Sequence, residues 1–165
     1  MRSKIIRSFC LFALVAFPAF SEDIPKNGMH IEFYPSGQIK LEEKYKNGQR
    51  NGLYREYYES GVLKRRAHYR NGNLAGTEYL FYPSGKVSFM QTIKKGKIEG
   101  LAKSFYENGR LRGVVRYRQN VQEGLLKEFY ESGKIREEAL YVADVVMWAK
   151  SYDELGNLLP QKEIK

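Results

Sequence analysis

The sequence predicts an all-β fold: an elongated, single-layer antiparallel meander of five 24-residue β-hairpin repeats with a C-terminal cap. Three observations carry that reading. Tyrosine returns every 24 residues, at Tyr34, Tyr58, Tyr82, Tyr106 and Tyr130, and three columns of glycine keep the same interval. Between these columns polar and apolar residues alternate with a period of two, which marks half-buried strands rather than helices. Each tyrosine also opens a four-residue turn motif that ends in glycine, such as Tyr34-Pro35-Ser36-Gly37 and Tyr58-Glu59-Ser60-Gly61. A fixed period of this length marks a repeat array, whose stability is close to a sum of contacts between neighbouring units.

In chain order, residues 1–21 read as an export leader. Arg2, Lys4 and Arg7 make a basic start, an apolar run follows from Phe9 to Phe17, and Ala19-Phe20-Ser21 places small residues before a cut at Glu22. The run is too short for a spanning helix. Cys10, the single cysteine, lies within it, so the cleaved chain is expected in the periplasm or outside the cell, cysteine-free and held by packing alone. Residues 22–28 are a short linker, and the repeats follow as 29–52, 53–76, 77–100, 101–124 and 125–148.

Each repeat justifies two strands and two turns. Gly37, Gly61, Gly85, Gly109 and Gly133 stand where a type I turn with a bulge needs a left-handed residue. Gly48, Gly72 and Gly96 mark the second turn, with Asn120 and Asp144 in the same column, both residues that tolerate positive φ. A third column reads Gly28, Gly52, Gly76, Gly100 and Gly124. The first strand ends in an aromatic pair each time, from Phe33-Tyr34 to Phe129-Tyr130. The second strand puts Leu41, Glu43 and Tyr45, or Arg65, Ala67 and Tyr69, on one face, with mostly Lys, Arg and Glu on the other. Ten strands at about 4.8 Å spacing give a sheet roughly 50 Å long. After the last repeat, Val145-Val146-Met147-Trp148 departs from the pattern, and residues 149–165 form a cap in which Tyr152-Asp153-Glu154-Leu155-Gly156 reads as a decayed sixth turn with one extra residue.

Composition narrows the function classes. With 28 Lys+Arg against 19 Asp+Glu the chain has a net charge of +9, and its 13 Tyr and 9 Phe make it too aromatic for a disordered segment. One cysteine and two histidines exclude a disulfide framework and argue against a metal centre. His30 aligns with Tyr54, Glu78, Ala102 and Leu126, and His68 with Lys44, Thr92, Arg116 and Leu140, so neither column keeps a catalytic chemistry. The glycines are spaced singly along turns, unlike a phosphate-cradling loop. The reading is therefore of a non-enzyme with no cofactor and no metal. An export leader also disfavours nucleic acid as the partner.

The unit G-x-x-x-x-[FY]-Y-x-x-G-x-[ILV]-[KRS]-x₅-[YI]-x-x-[GND], as in Gly52-Leu53-Tyr54-Arg55-Glu56-Tyr57-Tyr58 through Tyr69-Arg70-Asn71-Gly72, resembles the MORN repeat. It is most similar to the bacterial MORN-repeat variant, over about 28–144. That resemblance implies a twisted meander with no intrinsic enzyme activity and no catalytic residues to carry over. Members are often labelled antitoxins of toxin–antitoxin modules, and eukaryotic relatives are implicated in membrane-lipid contact and scaffolding.

Two candidate surfaces follow. The aromatic columns, Tyr34, Tyr58, Tyr82, Tyr106 and Tyr130 with Tyr45, Tyr69, Tyr117 and Tyr141, form ladders whose favoured reading is packing, with a ligand groove as the alternative. Lys40, Lys64, Lys86, Arg112 and Arg136, at or near one position after the first turn, form a stripe suited to an anionic partner. The leading expectation is an exported scaffold that binds a protein partner, antitoxin-like or immunity-like. The alternative is an envelope module for anionic lipid or glycan, and the open sheet edges also allow an edge-to-edge dimer.

Overall fold

The computed structural model describes residues 24–160; the leader expected over 1–21 and the tail 161–165 lie outside the described residues. The strands are β1 (Gly28–Phe33), β2 (Ile39–Lys46), β3 (Gln49–Tyr57), β4 (Leu63–Arg70), β5 (Asn73–Leu74), β6 (Gly76–Phe81), β7 (Val87–Lys94), β8 (Lys97–Ile98), β9 (Gly100–Phe105), β10 (Leu111–Arg118), β11 (Val121–Gln122), β12 (Gly124–Phe129), β13 (Ile135–Val142) and β14 (Val145–Ser151). They make one open antiparallel sheet in chain order, with β5, β8 and β11 pairing only β4, β7 and β10. No helix among the described residues is long and apolar enough to cross a membrane.

The first turn of each hairpin closes as its sequence requires. Tyr34 N–H donates to Gln38 O at 2.8 Å and Gly37 N–H to Tyr34 O at 2.9 Å, with Gly37 at φ 85°. The same pair of bonds recurs at Tyr58, Tyr82, Tyr106 and Tyr130, with Gly61, Gly85, Gly109 and Gly133 all at positive φ. A bulge then follows in every hairpin, where Glu32 faces Leu41 but Phe33 faces Ile39, which leaves Lys40 unopposed. Lys64, Ser88, Arg112 and Arg136 hold that bulge position in the other hairpins. The second turn is tighter than its glycine alone suggests. Both central residues have positive φ, as in Asn47-Gly48, Asn71-Gly72, Lys95-Gly96, Gln119-Asn120 and Ala143-Asp144, the type I′ geometry that suits the right-handed twist of a two-residue hairpin.

The third glycine column produces more strands than the ten expected. Between units the pairing jumps by two residues, from Tyr69↔Leu74 to Arg66↔Tyr79, and Gly76 at φ 78° sits in the jump. The same step at Gly100 and Gly124 splits the first strand of those units into a short and a long piece. At the end of the array Trp148 occupies this column, and the step between β13 and β14 shrinks to one residue, between Leu140 and Tyr141. That shift corrects the sixth turn. Asp153 N–H donates to Asn157 O and Gly156 N–H to Asp153 O, so Asp153 takes the tyrosine's place and the turn has no extra residue.

The tyrosine column fastens unit to unit. The hydroxyls of Tyr34, Tyr58, Tyr82 and Tyr106 each donate to the carbonyl 23 residues on, at 2.6–2.7 Å, and Tyr130 donates to Tyr152 O at 2.7 Å. Each such bond contributes about 1 kcal/mol. The core is correspondingly thin: Leu41, Tyr54 and Ala67 cluster with Tyr69 and Leu74 against them, and Ala102 and Ala139 are buried further along.

Candidate functional site

The sheet has two unlike faces. One can be followed strand by strand as a row of facing residues: Glu32, Leu41, Glu56, Arg65, Leu80, Phe89, Ser104, Gly113, Glu128, Glu137 and Ser151. Beside it lie His30, Glu43, Tyr54 and Ala67, then Glu78 with Gln91, Ala102 with Val115, and Leu126 with Ala139. This inner face holds the buried side chains.

In its N-terminal half the inner face is an ionic and aromatic network. Glu43, 3% exposed, accepts from Tyr45 Oη at 2.9 Å and from Arg50 Nε at 2.5 Å. Glu78, 7% exposed, accepts from Arg65 Nε at 2.7 Å and from Gln91 Nε2 at 2.6 Å. The Arg65 guanidinium lies 5.0 Å from the Tyr54 ring centroid, and Arg50 lies 5.5 Å from that of Tyr69. Burial, together with the neighbouring Glu43, raises the pKa of the Tyr45 hydroxyl, and burial with Glu56 nearby raises that of Tyr54. A buried carboxylate requires such partners, because an unpaired one would cost several kcal/mol.

Among the described residues the C-terminal half of the same face keeps the Arg136–Glu128 pair and the bond from Gln122 to the Tyr117 hydroxyl but no buried carboxylate network. Ala102, Ser104, Gly113, Val115 and Leu126 leave a shallow dent of about 80 Å³, walled by Phe89 and Glu128.

The outer face is basic. Lys44, Lys46, Arg55, Arg66, Arg70, Lys94, Lys97, Lys103, Arg116, Arg118, Lys127 and Lys150 alternate onto it, against Glu42 and Glu138 among the described strand residues, with Glu99 beside Lys94 and Lys97. Glu42 pairs with Arg55, and Glu138 with Lys127. Apolar side chains stand exposed between the cations, with Met29 at 52%, Leu101 at 42%, Leu125 at 40% and Trp148 at 37%.

The expected stripe does not assemble as a free cationic surface. Lys40, Lys64, Arg112 and Arg136 occupy the bulge position, but Lys86 sits two residues before it, in the turn, where its carbonyl accepts from Tyr82 N–H. Lys40 bonds Glu32 at 2.9 Å, Lys64 bonds Glu56 at 2.6 Å and Arg136 bonds Glu128, so three members are neutralised within their own hairpins. Arg112 lies over the Tyr106 ring. The Lys40 bond is the main reason the Glu32 carboxyl titrates below the ordinary value. The tyrosine columns divide as well: the Tyr34 column is spent on inter-unit bonds, while Tyr45, Tyr69, Tyr117 and Tyr141 line the inner face beside Gly28, Gly52, Gly100 and Gly124. Among the described residues no group of three His, Cys, Asp or Glu could hold a metal ion.

The family model described as "MORN repeat variant" matches four segments, 26–47, 50–71, 98–119 and 122–143, more than half of the chain. The chain belongs to the MORN repeat variant family. The matched segments leave out 72–97, which folds as a further MORN-like hairpin, β6–β7, with Ile93 where the other hairpins have tyrosine. No curated protein sequence matches the chain. Among solved structures it is similar to one described as "accessory secretory protein 1,2 and 3 in Streptococcus pneumoniae", at 12% identity and a TM-score of 0.34, over 68% of this chain and 19% of that one. This MORN-repeat chain thus spans about a fifth of that protein.

The outer face is legible in the sequence as the mostly Lys, Arg and Glu side of the second strands, which the column of cations just after the first turn does not follow. The single column crosses the bulge, where the alternation of faces slips by one.

Proposed function

We propose that this MORN-repeat chain is a non-enzymatic, exported scaffold whose basic outer face holds an acidic surface of a protein partner, in an antitoxin-like or immunity-like role. The observation that carries the proposal is the imbalance of that face, twelve cations against two carboxylates on its described strands, both of which are already paired. Lys44, Arg70, Lys103, Arg116 and Arg118 make no ion pair among the described residues, so their field is available to a partner. Shape favours a protein over a flat surface. Strands twist by about 20° each, so eleven in a row turn the face through roughly 200°, and a planar membrane would meet only part of it. Bulges in every hairpin add to the twist.

The test is crosslinking in cells with a tag after Lys165, followed by mass spectrometry. One stoichiometric protein is expected, and Lys103→Glu with Arg116→Glu should release it. Capture that is unchanged by the charge reversal would overturn the proposal. Fractionation checks export: the full 165-residue form retained in the cytosol would contradict it. A second reading rests on the exposed Met29, Leu101, Leu125 and Trp148 between the cations, which suit an anionic lipid surface. Flotation with phosphatidylglycerol vesicles that fades with salt would favour it.

A further inference from the structure

The inner face carries glutamates where the outer face carries cations, Glu128 and Glu137 among them, and a partner bound there is independent of one held by the outer face. The repeat supplies its own template. Arg65 lies over Tyr54 and bonds Glu78, and this guanidinium fills the face of the second unit. Two units on, Gly113 stands in the place of Arg65 and Ala102 in that of Tyr54. What remains there is the dent of about 80 Å³. Glu128 lines it, and Glu137 faces Glu128 directly across β12 and β13. Arg136 pairs with Glu128 and lies within electrostatic reach of Glu137, which is half-buried and makes no hydrogen bond or ion pair of its own among the described residues. Like charges directly opposite in a sheet are destabilising. Glu32 and Glu56, the equivalents of Glu128, are paired as it is, with Lys40 and Lys64, whereas the column of Glu137 holds Leu41, Arg65, Phe89 and Gly113 in the earlier units, so Glu137 is its one carboxylate.

We propose that the dent over Gly113 and the carboxylates of Glu128 and Glu137 bind an extended basic segment of a partner protein, with an Arg or Lys stem lying in the dent and its cation reaching Glu137. The stem meets the apolar walls of Phe89, Val115 and Leu126, so the site takes a long cation on an aliphatic chain better than a small ion. Because the whole chain is itself strongly basic, long-range attraction does not bring a cationic peptide to it, and binding has to come from this local surface.

A fluorescently labelled peptide of alternating arginine and leucine, added to the full chain, tests the site by anisotropy. Saturable binding that weakens with salt is expected, and a glutamate–leucine peptide should not compete at this site. Glu137→Gln should weaken binding about tenfold. Gly113→Arg should abolish it by restoring the internal guanidinium. The latter substitution is compatible with the fold, since Gly113 is not among the positive-φ glycines and an added Cβ comes closest to the rotatable Ser104 Oγ, at 3.1 Å. Absence of binding by the natural chain, or equal binding by both variants, would overturn the proposal, as would displacement of the peptide by a second copy of this chain, which would make the surface a self-interface.

Discussion

The two halves of this sheet share one backbone and solve its inner face differently. At the same column, two units apart, the N-terminal half places Arg65 and Glu78 where the C-terminal half places Gly113 and Leu126. The N-terminal units fill a single-layer sheet with long, paired, charged side chains lying over rings, and the C-terminal units leave it shallow. A sheet without a second layer buries few large apolar groups, Leu41, Tyr45, Tyr54 and Ile93 among the described residues, so much of its inner face is either a satisfied polar network or a surface open to something else. The turns differ in parallel. Asn47-Gly48 and Asn71-Gly72 suit positive φ at both positions, whereas Gln119-Asn120 and Ala143-Asp144 do not. There the side chains compensate: Asn120 Oδ1 accepts from Ile98 N–H at 2.6 Å and Asp144 Oδ1 from Gln122 N–H at 2.7 Å.

The largest effect is expected where the network is densest. Glu78→Ala leaves Arg65 and Gln91 without their shared acceptor and should cost about 2–4 kcal/mol, read as a drop in the denaturation midpoint. Leu126→Ala, in the same column, loses only the burial of a half-covered side chain, about 1–2 kcal/mol. Equal losses would mean that the two halves are stabilised alike. Hydrogen exchange should place the Glu78 damage in β3–β7 and leave β12–β14 protected, because an array couples mainly nearest neighbours.

Much of this architecture was legible in the sequence. The columns of Gly37 and Gly48 report backbone geometry directly, since a left-handed residue in a tight turn tolerates few substitutes, and every one of those glycines has positive φ. The positions that escaped lie where register slips. The bulge at Lys40 shifts the alternation by one, so a column drawn through Lys86 mixes turn and strand. Trp148 shortens the last step from two residues to one and moves the sixth turn to Asp153. Positive φ at Lys95, Gln119 and Ala143 had no sequence signal at all, because it is imposed by the two-residue length of the hairpin rather than by those residues. The carboxylate pairing of the inner face was hidden for a similar reason. Arg65 and Glu78 are 13 residues apart and in different units, and they meet only through the stepped register.

High pH should separate the halves further. Burial, aided by Glu43 for Tyr45, by Glu56 for Tyr54 and by Glu42 for Tyr57, raises all three hydroxyls above the ordinary value of 10.0. A raised pKa in the folded state means that this contribution to stability is fully present below pH 10 and is lost as pH rises through the folded value. All three residues lie in β2 and β3. Alkaline unfolding, followed by circular dichroism and tyrosinate absorbance, should therefore begin in the half that is the more stable one at neutral pH. Tyr54→Phe removes one ionising group for the loss of a weak 3.4 Å contact to Glu56, and should move the onset upward. An onset unchanged by that substitution would assign the alkaline transition to other groups.

The smallest effect tests whether the C-terminal turns are weaker by necessity. Ala143 is held at φ 51°, a conformation that costs an alanine about 1 kcal/mol, and its amide leans on Glu123 Oε2 at 3.2 Å. Ala143→Asn should stabilise the chain by about 0.5 kcal/mol, because asparagine accepts the left-handed conformation that Asn47 and Asn71 already adopt at the equivalent position. The gain should appear as slower exchange at the β13–β14 turn with no change in the N-terminal half. If Ala143→Asn instead destabilises the chain, then the Glu123 contact, rather than residue preference, holds that turn, and the C-terminal half has exchanged backbone tolerance for a side-chain clamp. The clamp itself is shared, since Asn27 Oδ1 accepts from the Asn47 amide at 2.9 Å, so what would separate the halves at this turn is the glycine that Gly48 and Gly72 supply and Asn120 and Asp144 do not.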